Sequence, residues 1–250
     1  MNKKQLYQRI GAVLAALLIW QVAALLLNRP LLLVSPWTVF LRLFSLWREP
    51  GFFSAVGFSL SRIAAGFFLG LTVGSLLGIL AGRFSWLEVL IRPYMTVIKS
   101  VPVASIIILC LIWLSSGRLS IFISFLMVLP IVYTNLLEGI RHLNPELTEM
   151  ADVFRLSWGC RLAYLWLPQL KPFLFSACRT ALGLAWKAGV AAEVIGIPAG
   201  SIGEQLYEAK AYLNTPDLFA WTVIIVLLSL GFEKLFLLLL RRGYALLENH

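Results

Sequence analysis

Residues 146–159, ELTEMADVFRLSWG, form a charged island between two apolar stretches that are each long enough to cross a membrane. Asn144 and Pro145 come just before the island, and they suit the N-cap and the first position of a helix. Glu146 follows in the first turn, where the positive end of the helix dipole favours acidic side chains. We therefore predict a helix that begins at Pro145 and lies on the membrane surface.

The predicted surface helix is amphipathic. At about 100° per residue its apolar side chains share one face, made of Leu147, Met150, Ala151, Phe154, Trp158, Leu162 and Leu165. The opposite face consists of Glu149, Asp152, Arg155 and Gly159. Pro168 cannot continue the hydrogen-bond ladder, so we expect a break there before the next span. One face is thus free to contact something other than the membrane.

The composition indicates a helical membrane protein rather than a soluble domain. Of the 250 residues, 60% are hydrophobic and 13% are charged, and the mean hydropathy is +0.87. Soluble domains are about half apolar and a quarter charged. The three cysteines lie far apart and the two histidines have no clustered partners, so neither a disulfide framework nor a metal site is expected. The net charge of +9 fits basic cytoplasmic loops better than a nucleic-acid surface.

Apolar runs predict an all-α fold with six transmembrane helices. The spans cover residues 11–27, 64–82 (beginning near Phe53), 103–114, 119–137, 172–194 and 218–240. Residues 11–27 exceed the roughly 7–15 residues of a signal-peptide core, so we interpret them as an uncleaved first span. We divide the chain into residues 1–52 (N-terminal tail, first span and an external interfacial segment), the transmembrane domain 53–240 and a C-terminal tail, 241–250.

Six spans place both termini on one side of the membrane. Twelve lysines and arginines fall in the segments on that side, against five on the other. Because basic loops are retained in the cytoplasm, both termini and the surface helix are predicted to be cytoplasmic.

Glycines repeat every four residues in the second span, at Gly66, Gly70, Gly74, Gly78 and Gly82. Small residues at this spacing form one smooth face, which lets another helix approach closely. We interpret this glycine stripe as a packing surface for a helix and not as a phosphate-binding loop.

The charged island also carries a family resemblance. Glu149-Met150-Ala151, with Leu167-Pro168 eighteen residues after Glu149, resembles the EAA signature of permease subunits of binding-protein-dependent ABC importers. The sequence departs from that signature in that Met150 stands for the second small residue, Leu165 for an isoleucine and Arg155 for the glycine, while Gly159 comes four residues late.

Three further stretches extend the resemblance to the nitrate/sulfonate/taurine branch, over roughly residues 53–240. These stretches are the opening Ser59-Leu60-Ser61-Arg62 with Gly66, the segment around Pro102, and the run from Ala185-Trp186 to Val190-Ala191-Ala192-Glu193.

The resemblance implies a type I ABC importer fold in a bacterial cytoplasmic membrane, surrounded by lipid. The surface helix would be the coupling helix that docks an ATPase subunit, through Glu149, Met150, Ala151, Asp152, Arg155, Ser157, Gly159, Leu167 and Pro168. Two copies of the chain would form a homodimer, and a periplasmic or lipid-anchored solute-binding protein would deliver the solute. The chain has no G-x-x-x-x-G-K-[ST] phosphate loop, so ATP and magnesium would bind to the partner. This chain itself would bind no cofactor and would not be an enzyme.

Ionisable residues inside a span are candidates for function because they are costly in lipid. Arg179, Lys187 and Glu193 lie in the fifth span, and Lys187, with or without Arg179, is the candidate contact for a small anionic or polar solute. Alternatively, Lys187 pairs with Glu193 or extends its amine towards the membrane surface. Glu193 precedes a loop at residues 196–203, where it serves either as an outer gate or as a structural hydrogen bond to the broken helix end.

An ion-coupled secondary transporter is the main alternative, and it would need inverted repeats or a buried acidic relay. The sequence shows no convincing internal repeat, and Glu193 is the one carboxylate well inside a span apart from Glu233 near a span end. A membrane enzyme would need clustered His, Asp, Glu or Ser side chains at one membrane face, and an ion channel would need a filter motif. Neither pattern is present, so a permease that depends on a separate ATPase is the preferred interpretation.

Overall fold

The computed structural model describes residues 3–29 and 31–248, and within these ranges the chain is helical without a β-strand. In chain order the helices are α1 (Lys3–Leu27), α2 (Pro36–Leu46), α3 (Phe52–Arg83), α4 (Ser85–Ser100), α5 (Val103–Cys110), α6 (Ser116–Arg141), α7 (Pro145–Val153), α8 (Trp158–Cys160), α9 (Leu167–Gly196), α10 (Ile202–Ala211) and α11 (Thr215–Glu248). A π-helical segment, Arg161–Trp166, connects α8 directly to α9. The predicted all-α fold is confirmed.

The predicted spans correspond to helices, with one exception. Among the described residues, α1, α3, α6 and α11 are long and apolar enough to cross a membrane. α9 has the length, at 30 residues, and carries the charged side chains of the predicted fifth span. The exception is the third span, since α5 has only eight residues and about 20 are needed to cross. Pro102 interrupts the ladder, and α4 and α5, bent by 100° relative to each other, are apolar and long enough only as a pair, which makes them a broken span or a re-entrant loop.

Two helices lie outside the predicted spans. α2 lies in the segment that is predicted to be interfacial. α10 was not predicted, and it follows the loop after α9 with Ser201 as its N-cap. The Ser201 hydroxyl accepts a hydrogen bond from the backbone N–H of Glu204 at 3.0 Å, which is the usual chemistry of a helix start.

The glycine stripe of α3 faces α6 along the length of both helices. A Cβ atom at Gly70 would lie 2.6 Å from Cβ of Val128, and one at Gly74 would lie 2.9 Å from the carbonyl oxygen of Leu129. At Gly66, Gly78 and Gly82 an added Cβ would also meet atoms of α6. The two backbones therefore approach as closely as a small-residue face allows.

α9 lies at the centre of the bundle, between α3, α6 and α11. Its side chain Trp186 is buried in an apolar cluster with Phe67 of α3, Val132 of α6 and Leu237 of α11. The hydroxyl of Ser124 on α6 donates to the carbonyl oxygen of Ala185 at 3.1 Å. Contacts on several sides hold α9 in place, and its remaining face stays exposed.

An arginine fork fastens α2 to the beginning of α11. Arg42 donates through Nε and Nη2 to the carboxylate of Asp217, and through Nη1 to Glu49 at 2.5 Å. The hydrogen bond to Asp217, and to a smaller extent the one to Glu49, raises the pKa of the Arg42 guanidinium above its ordinary value. The hydroxyl of Thr215 donates to the carbonyl oxygen of Leu31 at 2.8 Å. The end of α1 and the start of α11 therefore lie at the same end of the bundle.

Candidate functional site

The surface helix α7 begins where the sequence predicts. The side-chain oxygen of Asn144 accepts a hydrogen bond from the backbone N–H of Glu146 at 2.8 Å, and Pro145 occupies the first turn. The backbone N–H of Asn144 donates to the side chain of Gln169 on α9 at 2.9 Å. This bond attaches the start of α7 to the first turn of α9.

α7 ends much earlier than predicted, at Val153. Arg155 adopts a left-handed backbone conformation with φ of +48°. The N–H of Arg155 donates to the carbonyl of Asp152 at 3.1 Å, and the N–H of Leu156 donates to that of Ala151 at 3.0 Å. These bonds form a Schellman cap, in which the left-handed position is usually glycine. Arg155 stands where the EAA signature has its glycine, so the cap explains that glycine physically.

The continuous helix predicted through residue 165 is therefore wrong, and so is the predicted break at Pro168. A new helical stretch begins near Trp158, where the hydroxyl of Ser157 accepts from the N–H of Cys160 at 3.3 Å. It continues through the π-helical segment into α9, with Pro168 in the first turn of α9. Pro168 directly follows the π-helical segment, so its missing N–H falls where the hydrogen-bond ladder already changes from π to α.

Only part of the apolar face predicted for the surface helix is buried. Ala151 is fully buried, whereas Leu147, Met150 and Phe154 are 38%, 43% and 70% exposed, and Val153 is 79% exposed. The links of α7 to α9 turn Ala151 inward and leave the other apolar side chains of α7 exposed. We call the four exposed residues Leu147, Met150, Val153 and Phe154 the α7 patch.

The polar residues of the island have different surroundings. Glu149 is exposed, as is Arg155, and a Cβ atom at Gly159 would meet nothing within 4 Å. Leu167 and Pro168 are half-buried at the start of α9. Asp152 is tied to Arg161, a residue that sequence reasoning did not select.

Arg161 joins the end of α7 to the start of the π-helical segment. Its Nε donates to the carbonyl of Leu156 at 3.0 Å, and its Nη2 donates to the carbonyl of Ala151 at 3.2 Å. Its Nη1 donates to the carboxylate of Asp152. The carbonyl of Ala151, in the last turn of α7, thereby gains a charged donor in addition to the N–H of Leu156. Arginine at the C-terminal end of a helix was a usable signal, since cations are favoured there.

The two basic candidates of α9 are both exposed, but only one has a partner. Arg179 lies 3.8 Å from the carboxylate of Glu233 on α11. In the described part of the chain, no hydrogen bond or ion pair reaches Lys187. The predicted pairing of Lys187 with Glu193 is absent, because Lys187 faces outward and Glu193 faces inward.

Glu193 is fully buried where α3, α9 and α10 meet. Its Oε2 accepts from the hydroxyl of Ser59 at 2.5 Å and from the N–H of Gly203 at 3.4 Å. The Ser59 hydroxyl in turn accepts from the N–H of Ile202 at 3.0 Å. The geometry therefore fits the structural alternative, in which Glu193 satisfies the N–H of Gly203 directly and holds the Ser59 hydroxyl that satisfies the N–H of Ile202, at the start of α10.

Polar side chains also line an open groove between the end of α6 and the beginning of α9, which are both predicted to lie on the cytoplasmic side. The groove is bordered by Thr134, Asn135, Glu138, Pro172, Phe173 and Ser176. The amine of Lys99 on α4 reaches the hydroxyl of Thr134 at 3.4 Å. Sequence reasoning missed this groove because its residues come from separate helices and contain no motif.

Comparisons with known proteins agree with this architecture. Residues 70–242 match the family described as binding-protein-dependent transport system inner membrane component. The chain is 30% identical over 219 residues to a putative aliphatic sulfonates transport permease protein of Bacillus subtilis, covering 86% of this chain and 79% of that protein. It is 27% identical to the taurine transport system permease protein of Escherichia coli (92% and 86% covered). It is 26% identical to the bicarbonate transport system permease protein of Synechococcus elongatus (74% and 67% covered).

Proposed function

The chain belongs to the family of binding-protein-dependent transport system inner membrane components, and from that membership we propose that two copies of it form the passage of an ATP-driven importer. The chain is thus a multi-pass inner-membrane permease subunit, as its apolar helices require. Family membership gives no support to an ion-coupled secondary transporter. The ATPase, the binding protein and the second copy are the further components that this function needs.

The α7 patch is the observation that carries the proposal. Its four apolar residues project from a short helix that bears Glu146, Glu149 and Asp152, so the helix is too charged to sink into lipid. Exposed apolar residues rimmed by charge are typical of a protein–protein contact. An ATPase subunit that covers the patch would bury these residues and leave Glu149 at the rim.

The course of the helices supports a cytoplasmic position for α7. α9 is 30 residues long, which corresponds to about 45 Å at ~1.5 Å per residue, so α7 and α10 lie at opposite ends of it. α11 starts beside α10 and returns, bringing Tyr244 against Phe175 of α9. With the bias of basic residues towards the same segments, this supports an ATPase, both termini and α7 on the cytoplasmic side.

The solute is proposed to be a small anion, and Lys187 is proposed to contact it. The amine lies on the exposed face of the central helix without a partner among the described residues, and an unpaired charge there is expected to face water or solute. The relatives' names include sulfonates, taurine and bicarbonate. Arg179 is a weaker candidate because Glu233 already pairs with it, and burial makes Glu193 weaker still.

The test is copurification of the tagged chain from its native membranes, with bound proteins identified by mass spectrometry. We expect an ATPase to copurify with the wild-type chain and to be lost from the double variant Val153→Asp, Phe154→Asp. Two carboxylates in a buried apolar contact would have to be desolvated without partners, which is strongly unfavourable.

The matched control is the double variant Tyr212→Asp, Leu213→Asp, which places the same two charges on residues that are 82% and 63% exposed at the opposite end of the bundle. Each variant must elute from size exclusion like the wild type. An ATPase that copurifies equally with all three proteins would show that the α7 patch is not its docking surface. Wild-type chain that never yields an ATPase would contradict the importer assignment itself.

A further inference from the structure

Arg161 connects α7 to the central helix α9, although docking of a partner on the α7 patch does not itself require this side chain. Its guanidinium binds three groups at once: the carbonyls of Ala151 and Leu156 and the carboxylate of Asp152. The side chain is only 23% exposed, and it belongs to the first residue of the π-helical segment that leads into α9. An arginine fork holds such a set of acceptors in a fixed orientation, which lysine cannot do.

α7 is consequently held at both of its ends. The N–H of Asn144 binds Gln169 of α9 at the beginning, and Arg161 binds the last turn at the end. Between α7 and α8, residues 154–157 make an irregular connection with the left-handed Arg155. Without Arg161, this connection would be a hinge, and α7 would pivot about its Asn144 attachment. With Arg161 in place, α7, the π-helical segment and the start of α9 move together.

We propose that Arg161 is the positioning residue that transmits movement of α7 to α9. This inference rests on the proposed function, since it takes movement of α7 to come from the docked ATPase. A displacement of α7 then moves the base of the helix that carries Lys187. Loss of Arg161 leaves the α7 patch exposed and competent to dock, but lets α7 pivot without moving α9.

The experiment compares Arg161→Gln and Arg161→Lys with wild type in proteoliposomes that contain the copurified ATPase and binding protein. ATP hydrolysis and solute import are measured on the same samples. We expect the ATPase to remain bound to Arg161→Gln. The rate of import should fall at least tenfold more than the rate of ATP hydrolysis, so that the number of ATP molecules consumed per imported solute rises at least tenfold. Arg161→Lys should give an intermediate ratio, since it retains charge without the fork. Arg92→Gln is the control, an exposed arginine of α4 that makes no side-chain hydrogen bond or ion pair in the described part.

A second readout reports position directly. Spin labels at Val153→Cys, at the end of α7 opposite the Asn144 attachment, and at Tyr164→Cys in the π-helical segment, in a Cys160→Ser background, give the distance between these two elements. Both other cysteines are buried. We expect one narrow distance distribution with Arg161 and a clearly broader one in Arg161→Gln.

Three results would overturn the proposal. Import and hydrolysis that fall together, at a constant ratio, would make Arg161 a stabilising residue only. An unchanged distance distribution would show that α7 is held by other contacts. Loss of the ATPase from Arg161→Gln alone would mean that Arg161 shapes the docking surface rather than transmitting its movement. Absence of an ATPase even from the wild-type preparation is a different result, and it would contradict the proposed function instead.

Discussion

Substitution of Gly70 by alanine should destabilise the bundle through one methyl group. The new Cβ would lie 2.6 Å from Cβ and 2.7 Å from Cγ1 of Val128, and 3.0 Å from the carbonyl oxygen of Phe125. Carbon atoms in contact are normally about 3.5–4.0 Å apart, so α3 and α6 must separate by roughly 1 Å. Val128 is fully buried, and its Cβ atom, which the new methyl group would meet first, is not moved by any change of rotamer.

The expected cost follows from two opposing effects. Overpacking of this kind costs about 1–3 kcal/mol, and alanine gains up to about 1 kcal/mol over glycine in helix propensity. Because three atoms would be too close at once, the upper part of the overpacking range, about 2–3 kcal/mol, applies, and a net loss of about 1–2 kcal/mol in the free energy of unfolding is expected for Gly70→Ala. Gly57→Ala on the same helix is the matched control, because its Cβ would meet nothing within 4 Å. It should be neutral or slightly stabilising.

Unfolding in mixed detergent micelles, followed by tryptophan fluorescence, measures these differences. Gly74→Ala should lose less stability than Gly70→Ala, since its closest contact is 2.9 Å rather than 2.6 Å. Gly70→Ala with wild-type stability would refute the reasoning, as would an equal loss in Gly57→Ala. Either result would mean that the stripe does not set the distance between α3 and α6.

Three further predictions concern single side chains. Arg155→Gly should stabilise the chain by up to about 1 kcal/mol, because glycine adopts the left-handed conformation without the ~1–2 kcal/mol penalty of other residues; thermal unfolding checks this, and Arg155→Ala should show no gain. Arg42→Ala should cost about 1–3 kcal/mol through loss of the charged hydrogen bonds to Asp217 and Glu49, whereas equal unfolding midpoints for Arg42→Lys and wild type would contradict a role for the fork. Lys187→Ala should raise KM for an anionic solute about tenfold, equivalent to ~1.4 kcal/mol, while Lys187→Arg should keep most of the affinity; unchanged uptake kinetics in Lys187→Ala would remove Lys187 from the solute path.

Local chemistry made parts of this molecule predictable from the sequence. The beginning of α7 depends on Asn144 and Pro145, whose capping role needs no distant residue. Apolar runs of membrane length locate α1, α3, α6 and α11 because the bilayer imposes that length. The family resemblance, which the comparisons confirm, could also be found in the sequence because its motif lies in contiguous residues.

Other features depend on contacts that sequence order does not reveal. Ser59 and Glu193, which bind one another, are 134 residues apart. The inward side of α7 depends on Gln169 and Arg161, which lie outside this helix, so its periodicity alone does not show which of its residues are buried. The end of α7 was missed because Arg155 replaces the glycine that normally marks such a cap. Because arginine occupies the position of the motif glycine, the sequence carried no sign of the left-handed backbone that the chain adopts at Arg155.

Uptake by proteoliposomes that contain this chain, its copurified ATPase and its binding protein tests the central claim most directly. The solutes to test are an aliphatic sulfonate, taurine and bicarbonate. Our account predicts uptake of a small anion that requires ATP on the cytoplasmic side of the membrane and the binding protein on the opposite side. This uptake should continue after ionophores have collapsed the ion gradients. Uptake that proceeds without ATP and stops when the ion gradients are collapsed would contradict it.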